Sequence, residues 1–401
     1  MTAYRFLEPL DVLFLRGNRL FGDPGSYGES LVPPWPSVAA GALRSRILAD
    51  AGVDLAAFAR GEVVHPSLGT PQQPGDFTVT AFHLARRHAD QGVEVLMAPP
   101  ADLVISETQA GALDVRTLSP TRLTGGDGLA CSYPLPLLPV LAQAGRSKPT
   151  AGHWLTADGW RRYLAGETPR SSDLVASRDL WAIDPRVGVG LDAATRRAAD
   201  GRLFSVQAVA MRKGEHGKEG AFDVGFLAAI TGAEPPSAGS LRLGGDGRAA
   251  AIHVVDDRPP EPDDAAIASA GRCRLVLTSP GIFGSPLPAG DGSGVRAGWL
   301  PTGTRQAADG SLVFDLQGVR GRLVCAAVPR AEVVSGWDLA GWQPKPAQRA
   351  APTGSVYWVD DLRTTPEALR KLAETGLWSD PCEDPQRRAE GFNRLTLAPW
   401  S

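Results

Sequence analysis

The sequence predicts an α+β protein made of two strand-rich modules in tandem. Three observations predict it. The chain has 401 residues, more than one ordinary compact domain holds. Its 43% hydrophobic content is that of a globular protein, and 46 glycines with 34 prolines mark many turns between short strands. One segment, DDRPPEPDD at 256–264, has five acids, one base, three prolines and nothing apolar to bury, so the division between modules falls there.

The elements follow in order. Residues 3–15 read as a strand, with Tyr4, Phe6, Leu10, Val12 and Phe14 on one face and Pro9 marking an edge or a bulge. A glycine-rich loop and LVPPWPS lead to a helix over 38–50, capped by Ser37, with Ala39, Leu43 and Ile47 on its apolar face. Strand, loop and helix open either a βαβ unit or a ferredoxin-like βαββαβ module. Residues 77–88 and 93–98 form a hairpin, 129–150 are irregular, and a short helix after Thr156 carries Trp160, Tyr163 and Leu164. Strands over 182–191 and 203–211 pair across a polar link, a strand covers 222–230, and 240–255 reads as strand, glycine turn, strand. Beyond the acidic break, strands fall at 272–278, 311–316, 321–328 and 354–360. Thr365 and Pro366 then open a helix that Gly376 closes, and Phe392–Leu397 makes the last strand.

Composition narrows the function. A net charge of −3 announces no global nucleic-acid binder, so a partner of that kind would have to meet a local patch. Cys131, Cys273, Cys325 and Cys382 form no CxxC pair, which argues against a zinc ribbon and for reduced, buried thiols. The N-terminus lacks a basic region and a cleavage site, and no stretch approaches a membrane span, so the expected location is the cytoplasm. The six histidines make no metal-ligand spacing, and there is no GxSxG elbow, Walker A loop or complete GxGxxG. No catalytic residue, metal or cofactor is expected.

Three short segments could meet phosphate, each with a plainer alternative. In Gly244-Gly245-Asp246-Gly247-Arg248 the glycines would let backbone approach a phosphate and Arg248 would supply charge; a hairpin turn explains the same residues. A metal-binding palm is improbable, because Gly247 stands where a second acid would be needed. Arg212, Lys213, His216 and Lys218 form a basic loop. Residues 178–218, including Arg186, hold eight Lys or Arg against five Asp or Glu, which suits a phosphate backbone or a solvated hairpin. Arg16 and Arg19 flank Gly17-Asn18 and could clamp a phosphate, whereas Arg44 and Arg46 read as the wet side of the first helix. Trp337 and Trp342 suit base stacking or docking on a protein, with core packing for at least one.

Together these segments resemble the third subunit of the Cmr complex, within the RAMP superfamily of type III-B CRISPR systems. FLEPLDVLFLRGNRLFG with PPWPSVAAGALRSRIL is similar to that family's N-terminal strand–loop–helix. RVGVGLDAATRRAADGRLF resembles its strand–hairpin–strand, and LRLGGDGRAA its glycine-rich segment. GWLP, VSGWD and PTGSVYWV resemble its C-terminal half. The resemblance spans nearly the whole chain, but 60–175 matches poorly and reads as a variable insertion.

What the resemblance implies is a pair of ferredoxin-like (RRM-like) domains. The first would cover 1–255, with the insertion at about 60–175 and the hairpin at about 182–213; an acidic linker covers 256–269 and the second domain 270–401. The subunit would bind the 5′ handle of the CRISPR RNA in antiviral defence. It would bridge the large polymerase-cyclase-like subunit to the backbone subunit, and catalysis would belong to those neighbours. Arg16, Arg19, Arg44, Arg186, Arg212, Lys213, Lys218, Gly244, Gly245 and Arg248 become the expected RNA contacts. No RNP aromatic signature is present, so loops and the hairpin would do the reading. The competing reading is a RAMP endoribonuclease that processes CRISPR RNA, with His216 as its general acid or base.

Overall fold

The computed structural model describes residues 2–17, 27–88, 92–122, 133–143, 145, 147–214, 220–284 and 298–400. The fold is mixed, with few helices and mostly antiparallel sheets. Two six-stranded sheets dominate. The first uses β1 (Ala3–Pro9), β2 (Thr78–His88), β3 (Gly92–Leu96), β6 (Phe222–Thr231), β7 (Ser240–Arg242) and β8 (Ala249–Val254), in the order β7-β8-β1-β6-β2-β3. Between β3 and β6 the chain forms a long ribbon, β4 (Trp181–Leu191) with β5 (Ala198–Met211). The second sheet uses β9 (Cys273–Leu277), β10 (Leu312–Leu316), β11 (Val319–Ala327), β12 (Val356–Arg363) and β13 (Leu395–Pro399). Its order is β10-β11-β12-β9-β13, and the short strand Thr304–Gln306 lies outside β10.

Helices cover the outer faces. Helix α1 (Pro36–Asp50) places Leu43 and Ile47 on the first sheet against Leu7, Val79 and Phe226. Pro36 opens it, since a ring-fixed φ and a missing N–H cost nothing at a helix start, so the boundary lies before the expected Ser37 cap. On the second sheet, α3 (Asp264–Ala270) and α4 (Pro366–Thr375) contribute Ile267, Leu369 and Leu372. Thr365 caps α4 by accepting the Ala368 N–H at 3.2 Å, and Gly376 follows its end.

The inner faces of the sheets pack on each other. Phe6, Ala85 and Leu227 from the first meet Val276, Trp358 and Ala398 from the second. Helix α2 (Ala157–Leu164), capped by Thr156, adds Trp160, Tyr163 and Leu164 to this joint. Both faces of the central strands are therefore covered, which is why β6 and β9 read as nearly continuous apolar runs. At β1 the covering shortens the expected strand: Leu7 turns toward α1 and Phe6 toward the second sheet, and the strand ends at Pro9.

The stretch expected as an insertion is tied into both sheets. Residues 78–96, inside that stretch, supply β2 and β3 of the first sheet. Farther on, Leu137 donates its N–H to Val324 and Tyr133 its hydroxyl to the Ala326 carbonyl, both on β11. Residues 264–270, at the end of the expected linker, form α3. Cys273 and Cys325 are buried free thiols whose pKa values burial pushes up to about 12; Cys131 lies outside the described residues.

His83 on β2 faces this inner joint with Ala85, and burial pushes its pKa from 6.5 down to about 4. The unfolded chain takes up this proton first as pH falls, so the contribution is complete above 6.5 and fades toward 4. Wild type should lose about 2 kcal/mol of stability between about pH 7.5 and about pH 5 from this group. Urea midpoints should show His83→Leu gaining on wild type as pH falls over that range. A gap that stays constant would refute the assignment.

Candidate nucleic-acid interface

Residues 10–17 leave β1 and run between the base of the ribbon and the glycine turn. Leu13 exchanges both backbone hydrogen bonds with Val209 on β5, at 2.9 and 2.8 Å. Gly245 donates its N–H to the Phe14 carbonyl at 2.8 Å, and Leu10 donates to Ala249 at 3.0 Å. The loop thereby brings Arg16 beside the glycine segment and Arg248, more than 220 residues away in sequence.

The glycines turn the chain from β7 to β8, closed by the Leu243 N–H to the Arg248 carbonyl at 2.8 Å. At Gly244 φ is +78°, and a Cβ there would stand 2.7 Å from the Phe14 oxygen. Gly244 is thus required by backbone approach, and the Gly245 donor that a phosphate would need is engaged by Phe14. The hairpin-turn reading describes these two residues.

Charge is carried by the arginines around the turn. Arg248 Nη1 pairs with Asp11 at 2.6 Å and its guanidinium lies over the Phe14 ring, 5.2 Å from the centroid. The buried Arg248 Nε makes no hydrogen bond. Arg16 Nη2 pairs with Asp246 at 3.0 Å, both side chains about half exposed.

A second knot lies at the start of the same loop. Glu8, on the Phe6 side of β1, receives Lys213 Nζ at 2.6 Å, Arg87 Nη2 at 2.7 Å and His253 Nε2 at 3.0 Å. Burial alone would raise the Glu8 carboxyl. The hydrogen bond and charge of Lys213, the charge of Arg87 and the His253 hydrogen bond outweigh it and hold the pKa below the ordinary value. Next to Lys213, Arg212 lies over the Phe222 ring at 4.9 Å, with Arg86 also over that ring at 5.2 Å.

The structure thus brings Arg16, Gly244, Gly245 and Arg248 together at one end of residues 8–16, and Arg212 and Lys213 at the other. Arg186 stands apart on the ribbon, paired with Asp184 at 2.9 Å. The ribbon exposes Val187, Val189, Leu191 and Leu203 along with Arg196, Arg197 and Arg202. Arg44 is also apart, and it is not on the wet side of its helix. It is half-buried with its guanidinium 5.1 Å from the Phe77 centroid, and desolvation lowers its pKa against the pull of Glu390. Arg19, His216 and Lys218 lie outside the described residues. Sequence reasoning missed Glu8, Arg87 and His253; its one available signal was an acid between Leu7 and Pro9 in an apolar strand. Among the described residues no group of three or more His, Cys, Asp or Glu could hold a metal ion.

Residues 5–400 match the family of the CRISPR-associated protein Cas_Cmr3. The chain belongs to the Cmr3 family. Two solved chains are similar to this Cmr3-family chain. One, in a cryo-EM structure of the type III-B Cmr-beta bound to cognate target RNA, is 14% identical, covers 88% of this chain and 86% of that one, and has a TM-score of 0.42. The other, bound to cognate target RNA and AMPPnP in state 1, is 13% identical, covers 98% of each chain and has a TM-score of 0.46. No curated protein matches the chain. No helix among the described residues is long and apolar enough to cross a membrane.

Proposed function

We propose that this chain is a non-catalytic subunit of a type III-B CRISPR effector ribonucleoprotein in the cytoplasm. It grips the repeat-derived 5′ handle of the CRISPR RNA and bridges the large polymerase-cyclase-like subunit to the first backbone subunit. The observation that carries this reading is the Cmr3 family match over 5–400. The geometry supports it: residues 8–16 join two knots of basic side chains at the base of an exposed ribbon. Each described cation there already has an acidic or aromatic partner, so RNA would bind by exchanging phosphate for carboxylate.

The strand orders support two tandem ferredoxin-like modules. Both β8-β1-β6-β2 and β13-β9-β12-β11 follow the fourth-first-third-second order of a βαββαβ unit. Among the described residues, α1 follows the first strand of the first module and α4 follows the third strand of the second.

The test is purification of the native complex and sequencing of its RNA, which should begin with the repeat-derived handle. The purified chain should leave labelled repeat RNA intact with or without magnesium. Site-specific cleavage lost in His216→Ala would replace this reading with the RAMP endoribonuclease.

A further inference from the structure

Trp337 and Trp342, for which the sequence suggested at least one core position, both lie outside every core. They sit on a small hairpin, Trp337–Asp338 paired with Gln343–Pro344, with 45% and 74% of their surface exposed; Leu339 between them is 64% exposed. Their rings meet edge to face, centroids 5.9 Å apart. Exposed apolar groups clustered this way are uncommon on a chain that works alone. Trp342 also holds φ at +48°, a left-handed conformation that turns normally give to Gly or Asn. A bulky side chain kept at a strained backbone position points to a role outside the turn.

The base of this hairpin is built firmly. Lys345 donates its N–H to Gly336 at 2.9 Å, and the Ser335 hydroxyl donates to the Lys345 carbonyl at 2.8 Å. Beneath it, Arg387 on the helix Pro385–Glu390 donates to the Ser335 carbonyl at 3.1 Å and pairs with Glu390 at 3.0 Å, and Lys345 pairs with Glu390 as well. Arg387 and Glu390 are buried. A buried ion network at the neck holds an apolar tip in one orientation, which lowers the ordering cost of docking.

Charge selects the partner. Residues 331–344 contain Glu332 and Asp338 and no Lys or Arg, and Lys345 is committed to Glu390. Arg349 stands on the stem, in register with Val333, away from the tip. Stacking on RNA needs cations beside the aromatic rings, and the one charged residue on this tip, 336–344, is the acid Asp338.

We infer that the Trp337–Leu339–Trp342 tip docks into an apolar cleft, with a basic side chain facing Asp338, on a protein neighbour in the effector complex. This rests on the function proposed above. Two Trp anchors at an interface centre should each matter more than the surrounding contacts. The test uses the full chain with the co-encoded large subunit, the first backbone subunit and CRISPR RNA. Trp337→Ala/Trp342→Ala, whose sites lie outside the core, should keep the wild-type melting midpoint. It should bind one of the two subunits about 30-fold more weakly or worse. A benzophenone side chain replacing Trp342 should photo-crosslink to that same subunit in the assembled complex. Unchanged affinity for both subunits, crosslinks to RNA only, or no crosslinks would overturn the inference while leaving the proposed function standing. A wild-type chain that joins no such assembly would overturn both.

Discussion

Replacing Arg274 by Met should destabilise the fold by about 3–5 kcal/mol, the usual result of leaving one member of a buried ion pair behind. Arg274 Nη1 reaches Asp102 Oδ2 at 2.6 Å, and both residues are buried. Its Nε donates to the Pro399 carbonyl at 2.9 Å, and its guanidinium lies over Tyr163, 4.3 Å from the ring centroid. The Tyr163 hydroxyl donates to Asp102 at 3.0 Å. One guanidinium thus joins the segment after β3, α2 and two strands of the second sheet. Burial already raises the Asp102 pKa against the pull of Arg274 and Tyr163. Without Arg274 the carboxyl would fold protonated. The deficit should therefore deepen as pH climbs above the ordinary carboxyl value of 3.8, because the unfolded chain ionises Asp102 first. The double variant Asp102→Leu/Arg274→Met should lose less than Arg274→Met, since it leaves no unpaired charge. Urea denaturation of the three proteins decides it. A single-variant loss below about 1 kcal/mol, typical of an exposed pair, would show that the joint is held by its apolar contacts alone.

Lys213→Ala/Arg248→Ala should weaken binding of the 5′ handle within the assembled complex by at least about tenfold. It should also flatten the salt dependence by about 1.4 in log–log slope, about 0.7 for each lost contact with single-stranded RNA. The geometry adds a prediction of opposite sign. Asp11 holds Arg248 at 2.6 Å, so Asp11→Asn should release that guanidinium and strengthen handle binding. Glu8 is unsuitable for the same test, because it is half-buried and shared by three partners. Arg44→Ala should lower stability through its lost contact with Phe77 while leaving the salt slope alone. Coincident salt curves for wild type and the Lys213/Arg248 double variant would place these two residues away from RNA.

Local chemistry was legible wherever neighbours in sequence decide the outcome. The Thr365 cap with Pro366, the Thr156 cap, the long ribbon and the Gly244–Gly247 turn all follow from short-range donors, acceptors and φ preferences. The family resemblance was legible for the same reason, since its motifs are short segments in a set order. The glycine turn could not be separated from a phosphate cradle until the Phe14 carbonyl was seen to approach Gly244 and take the Gly245 donor.

What only the tertiary structure decided lies in contacts between distant residues. Glu8 and Lys213 are 205 positions apart, and Asp102 and Arg274 are 172 apart. A single charged residue in a strand looks the same in sequence whether it faces water or a buried partner, because its neighbours set the periodicity and its partner does not. Packing the sheets face to face also covered both sides of β1, β6 and β9, which removes the alternation that would have told inside from outside. The sequence by itself therefore determined the elements and the family. Which arginines are already engaged, and that both Trp337 and Trp342 stand in solvent, depended on how the two sheets and the segments between them came together.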